Sequence, residues 1–140
     1  MKIEHVAIWV KDIDKVCEFY RKYFGGVVQP LYHNPTKRFT SRFVTFESGA
    51  RLEVMHRPDI RGDAGTFHVK QSEIAEHLGF AHLSFSVGSK EDVDHLTQQM
   101  SEDGITIAGE PRTTGDGYYE SVVLDPEGNR IELSATSIEQ

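Results

Sequence analysis

Cysteine is almost missing from this chain: Cys17 stands alone among 140 residues, which excludes an intrachain disulfide and suits a reducing compartment. Long apolar runs are missing too. The stretch Val6 to Val10 is closed at once by Lys11 and Asp12, so neither a signal peptide nor a membrane-spanning helix is expected, and the cytoplasm is the expected location. Positive charge is in deficit, with 15 basic against 22 acidic residues and a net charge of -7. No cluster of lysine and arginine is present that could follow a phosphate backbone, which argues against nucleic acid or a membrane surface as partner and leaves a small molecule. A glycine-rich phosphate loop and a serine nucleophile motif are also lacking. The length suits one domain of ordinary size, so any division must be into small halves.

What is present is a repeat. Glu4-His5-Val6-Ala7-Ile8-Trp9-Val10 aligns with Ala81-His82-Leu83-Ser84-Phe85-Ser86-Val87, and Ser48-Gly49-Ala50-Arg51-Leu52-Glu53-Val54 aligns with Glu127-Gly128-Asn129-Arg130-Ile131-Glu132-Leu133. Each copy opens on a strand of alternating polarity and continues into a helix. In the first copy Ile13, Val16, Tyr20 and Phe24 recur at helical spacing behind an aspartate cap and before Gly25-Gly26. In the second, Ser89 and Asp92 begin a helix with Val93, Leu96 and Met100 as its apolar stripe, and Gly104 ends it. Strands are expected around Val27-Val28, over Phe39 to Glu47 and over Arg51 to Met55, then at Ile105 to Ala108, Tyr118 to Leu124 and Arg130 to Ser134. The order βαβββ, repeated, makes this an α+β chain of two modules, 1–57 and 79–140, forming a curved mixed sheet with its helices on the outer face. Residues 58–78 are a connecting loop or lid, with a weak helical pattern at Ser72 to His77.

Strand alternation singles out four side chains. Val6, Ile8 and Val10 belong on the helix side, so His5, Ala7 and Trp9 occupy the other face; Leu52 and Val54 likewise leave Glu53 there. His82 and Glu132 follow in the second copy. Two imidazoles and two carboxylates brought together on enclosed surfaces are reconciled by a divalent cation. Nitrogen and oxygen donors without thiolate suit nickel, cobalt, zinc, manganese or iron, and four protein ligands in an octahedral shell leave two positions for water or substrate. His33, His56, His68, His77 and His95 have no counterpart in the other copy and are expected at the surface. Arg38, Arg42, Arg57 and Arg112 are candidate anion clamps, and Trp9 is a stacking surface for an apolar or aromatic substrate.

At these residues the sequence resembles the vicinal oxygen chelate superfamily, which includes glyoxalase I, methylmalonyl-CoA epimerase, fosfomycin-resistance proteins, extradiol dioxygenases and bleomycin-binding proteins. The run Asp125 to Leu133 is similar to the family's last hairpin, and Phe19-Tyr20 and Phe24-Gly25 to the end of its first helix. The resemblance implies metal ligands at His5, His82 and Glu132, with Glu53 in the fourth position as in glyoxalase I. It implies a lyase or isomerase in which the metal binds adjacent substrate oxygens and stabilises an enediolate, while Glu53 or Glu132 removes and returns a proton. The substrate class is a small α-oxygenated carbonyl compound or its thiol adduct. A ring-cleaving dioxygenase, a thiol transferase or a drug-binding protein of the same fold is the alternative. Glutathione-using members would have arginine at Trp9 and asparagine at Arg57, so these two residues point to a different substrate-binding surface. Small two-module members are commonly dimers, and a homodimer is expected.

Overall fold

A computed structural model describes residues 1–60 and 78–136. Most of the expected connecting loop, its weak helix, and His68 and His77 fall outside the described residues. The chain divides into two compact units, Met1–Asp63 and Ala64–Gln140.

The first unit runs β1 (His5–Trp9), α1 (Ile13–Phe24), β2 (Val27–Val28), β3 (Tyr32–Asn34), β4 (Phe39–Thr45) and β5 (Arg51–His56). Its sheet has the order β1-β5-β4-β2, with β3 also paired to β4; β1 is parallel to β5 and the remaining pairs are antiparallel. The second unit runs β6 (Leu83–Gly88), α2 (Lys90–Glu102), β7 (Ile107–Thr113), β8 (Tyr119–Leu124) and β9 (Arg130–Ala135). Its order is β6-β9-β8-β7, with β6 parallel to β9. The α+β class and mixed pairing are as expected, and the strands hydrogen-bond as two sheets, one in each unit.

Local chemistry explains both helices. The Asp12 carboxylate accepts a hydrogen bond from the Lys15 amide at 3.0 Å, and Gly25 closes α1 in the left-handed region at φ 64°. Gly26 follows because a Cβ there would lie 2.5 Å from Val44 Cγ1. Ser89 and Asp92 cap α2 reciprocally. Each helix buries its stripe against its own sheet: Val16 and Tyr20 against β4 and β5, Val93 and Met100 against the second sheet, where Val123, Ile131 and Leu133 meet them. Full burial of such side chains stabilises by about 1.5–3 kcal/mol each. Within the second interface the Thr97 hydroxyl donates to the Val93 carbonyl at 2.6 Å and meets the Ser121 hydroxyl at 2.7 Å, so neither buried group is orphaned.

Two strands differ from expectation. Strand β7 begins later than Ile105 and runs on through Pro111, with irregular register against β8. Proline has no amide to donate, and β7 tolerates it because it is the last strand of its sheet. Strand β3 is additional: the Asn34 side chain accepts from the Lys37 amide at 2.9 Å, folding the chain back onto β4.

Candidate metal centre

Parallel pairing of the first and last strands of each unit creates the candidate site. In the first unit Ala7 lies opposite Glu53, so His5 sits one pleat along the same face. His5 Nε2 is 3.9 Å from Glu53 Oε1. In the second unit Ser84 lies opposite Glu132, and His82, just ahead of β6, brings its Nε2 to 2.6 Å from Glu132 Oε1. The side chains are matched in exposure as well as position: 42% and 43% for the imidazoles, 15% for each carboxylate. Half-open imidazoles beside largely enclosed carboxylates make donor pairs that a ligand can still reach. Among the described residues no group of three or more His, Cys, Asp and Glu is gathered for a metal; the observed unit is the pair.

The surroundings of the two pairs diverge. His5 Nδ1 lies 3.4 Å from Glu4 Oε1, and Glu4 is clamped by two hydrogen bonds from Arg51, whose guanidinium stacks 3.9 Å over the Phe43 ring. The Arg51 hydrogen bonds hold the Glu4 carboxyl down to about 2, so it is an anion at any ordinary pH. A carboxylate behind one ring nitrogen favours the tautomer whose other nitrogen is free to ligate. Phe43 meets His5 edge-on at 5.4 Å, and Trp9, Phe39 and Tyr32 continue an aromatic surface, Trp9 edge-on to Phe39 at 6.3 Å and Tyr32 to Phe39 at 6.0 Å.

The second face is polar. Glu120, on β8, reaches Glu132, and burial together with that neighbouring carboxylate pushes Glu132 up to about 7. Arg112 stands 4.0 Å from Glu120 and partly offsets the repulsion. The Ser134 hydroxyl reaches Glu120 at 3.4 Å and the Ser84 hydroxyl at 2.8 Å, while Ser86 and Thr136 form another pair at 2.8 Å. By sheet register the counterpart of Glu120 in the first unit is Ser41, because Glu53 faces Phe43 as Glu132 faces Val122.

Of the residues singled out in the sequence, His5 meets Glu53, His82 meets Glu132, and Arg57 lies 5.4 Å over the Trp9 ring. Arg42 is engaged by the Gln29 carbonyl and Asp14. His56 is not a simple surface residue: its Nδ1 donates to the Val10 carbonyl at 2.8 Å, tying β5 to the end of β1. Glu4 and Glu120 were not anticipated. Glu4 is adjacent to His5 in sequence and Arg51 two residues before Glu53, but only the parallel register of β1 and β5 joins them; Glu120 left no signal, since its copy is a serine.

The family model described as Glyoxalase/Bleomycin resistance protein/Dioxygenase superfamily matches residues 2–133. The glutathione transferase FosA of Serratia marcescens is 32% identical over 59 residues, 42% of this chain and 39% of that protein. The lactoylglutathione lyase of Schizosaccharomyces pombe is 24% identical over 150 residues, covering 97% of this chain and 48% of the relative. Each of these two matches thus spans less than half the length of the relative concerned. Among solved structures, a glyoxylase/bleomycin resistance protein/dioxygenase domain from Frankia sp. EAN1pec superposes with a TM-score of 0.77 at 17% identity, over 100% of this chain and 95% of that one. Among the described residues no helix is long and apolar enough to cross a membrane.

Proposed function

This chain belongs to the Glyoxalase/Bleomycin resistance protein/Dioxygenase superfamily, and from that premise we propose that it is a divalent-metal-dependent lyase or isomerase of the glyoxalase type. The observation that carries the reading is the repeated histidine and glutamate pair, at the same sheet positions and with the same exposure in both units. We assign His5, Glu53, His82 and Glu132 as ligands of one divalent ion, drawn from nickel, cobalt, zinc, manganese and iron. The donor set fits: imidazole nitrogen with carboxylate oxygen suits these ions, and an enclosed carboxyl displaced to about 7 is one that a cation would relieve. When bound, such an ion supplies Lewis acidity to adjacent oxygens of a small α-oxygenated carbonyl compound or its thiol adduct.

The chain's own residues do the rest. Glu4 orients the His5 ring. Glu53 or Glu132 takes and returns the carbon-bound proton, and of the two Glu132 is the better suited, because burial and Glu120 let it hold a proton near neutral pH. Trp9 and the aromatic surface beside it bind the apolar part of the substrate, with Arg57 above the Trp9 ring. In place of the arginine and asparagine of glutathione-using relatives, this pair favours a substrate other than a glutathione adduct. The same reading takes the protein as a cytoplasmic homodimer and residues 1–57 and 79–140 as its functional modules. The 59-residue likeness to FosA favours a second reading, thiol transfer to an antibiotic.

Elemental analysis of protein purified without a histidine tag tests the first reading. About one metal per chain is expected, with strong loss in His5→Ala and Glu132→Ala; no metal after supplementation would sink it. Turnover in deuterium oxide should place deuterium on the substrate carbon, and Glu53→Gln should slow it; full turnover in that variant would remove Glu53 from the chemistry. Stoichiometric consumption of a thiol without carbon exchange would select thiol transfer.

A further inference from the structure

A cavity of about 340 Å³ opens in the first unit, lined by His33, Arg38, Thr40, His56, Arg57 and Asp59 among others. Its floor follows from strand register. His33 lies opposite Thr40 and Thr40 opposite His56, so three neighbouring strands present these side chains in one row. Alternation puts the row on the face of Val44 and Val54, opposite to that of Glu53. The row is therefore separate from the candidate metal pair, and Arg57, which lines the cavity and stands over the Trp9 ring, is the residue shared with the proposed substrate surface.

We infer that this cavity binds the phosphate group of a small organic phosphate ester. Arg38 and Arg57 contribute two permanent cations and Asp59 one anion, so the lining is positive even with both histidines neutral. Asp59 engages Arg57 through Nε at 2.6 Å, which fixes that guanidinium. The hydrogen bond to Val10 commits the His56 proton to Nδ1 and leaves Nε2 as the ring nitrogen for a ligand. A metal is disfavoured here, since the guanidiniums repel a cation and no described group of three ligating side chains exists. Two guanidiniums, the His33 imidazole and the Thr40 hydroxyl offer more donors than the two oxygens of a carboxylate can use, and they match the three peripheral oxygens of a phosphate monoester, while His56 Nε2 accepts from a protonated phosphate oxygen or donates once the ring is cationic. The volume lies at the lower end of small-molecule sites, which run from about 300 to 1,000 Å³, so an organic group fits with the phosphate.

Arg38 adds an independent sign. It ends the turn between β3 and β4 in the left-handed region, at φ 55°, where glycine is the unstrained residue. An arginine in a glycine conformation, with its side chain at a cavity, is the kind of local strain that a function for the guanidinium would offset.

Phenyl phosphate is the probe, titrated into the full chain in EDTA and followed by calorimetry and by the fluorescence of Trp9, the sole tryptophan, over whose ring Arg57 stands. Saturable binding of one equivalent with a change in emission is expected. Arg38→Gly should weaken it at least tenfold while leaving the melting temperature equal or higher, Thr40→Ala should weaken it severalfold, and His5→Ala should leave it unchanged. Absence of saturation, undiminished affinity in Arg38→Gly, loss of binding in His5→Ala, or equal affinity for benzoate would each overturn the assignment. Because EDTA removes metal and no turnover is read, failure of the metal-dependent reading would leave this result intact.

Discussion

Glu132 carries the most informative single charge in the molecule. Its carboxyl is raised from 4.5 to about 7 by burial and by Glu120, so the folded state holds a proton that the unfolded chain releases. The resulting stabilisation is complete below about pH 4.5 and is lost as pH rises through about 7. Metal-free protein in EDTA should therefore lose stability across that window, by no more than about 1.4 kcal/mol per pH unit for one proton. Denaturant melts at several pH values check this, and Glu132→Gln should flatten the slope. Metal must displace the same proton, so its affinity should fall as pH drops below 7. Ser41 gives a prediction of the opposite kind. Its hydroxyl is fully enclosed and has no hydrogen-bond partner among the described residues, so Ser41→Ala should be neutral or stabilising by about 1 kcal/mol, seen as an unchanged or raised melting temperature.

At the level of elements, the hairpin before β9 decides where Glu132 stands. The buried Asp125 carboxylate accepts from the Glu127 and Asn129 amides at 2.9 Å and from the Asn129 side chain, while Gly128 turns the chain at φ 84°. Asp125→Ala strands these donors and should cost about 2 kcal/mol in denaturant unfolding, with weakened metal retention as β9 loosens. Gly26→Ala should also destabilise, by about 1–3 kcal/mol, because its Cβ drives into Val44. Much of this level was legible in the sequence. The helix caps at Asp12 and Ser89, the stripes of Val16-Tyr20 and Val93-Met100, and the faces of the paired strands follow from short-range periodicity, which the folded chain preserves. What escaped depends on cross-strand register: β3, the shift of β7 past Pro111, the approach of Glu120 to Glu132, and the row His33-Thr40-His56. Register is set by turns and pairing partners, so residues distant in sequence became neighbours without any local pattern to announce them.

For the molecule as a whole, the assignment of both pairs to one ion makes metal a ligand of the folded chain. Unfolding midpoints should rise on metal addition, by about 2.7 kcal/mol in free energy at a hundredfold excess over Kd, and return in EDTA. His5→Ala and His82→Ala should abolish the rise to the same extent, since each removes a ligand of the same ion; loss of the rise in one variant alone would divide the pairs between separate roles. Thermal melts with and without metal provide the comparison.

The two sheets share a frame but not a lining: aromatic rings surround His5, hydroxyls and carboxylates surround Glu132. Positions on the helix sides are held by close packing and accept only changes that conserve volume. The opposite faces are held less uniformly: Ser41, Val122 and Leu124 are buried there, while their other positions are more open. On the proposed reading the first half would hold the substrate and the second would move the proton, and changes at the open positions of either face should cost little stability. New specificities should arise by exchanging those open residues, with the helix-side core of each half left as it was.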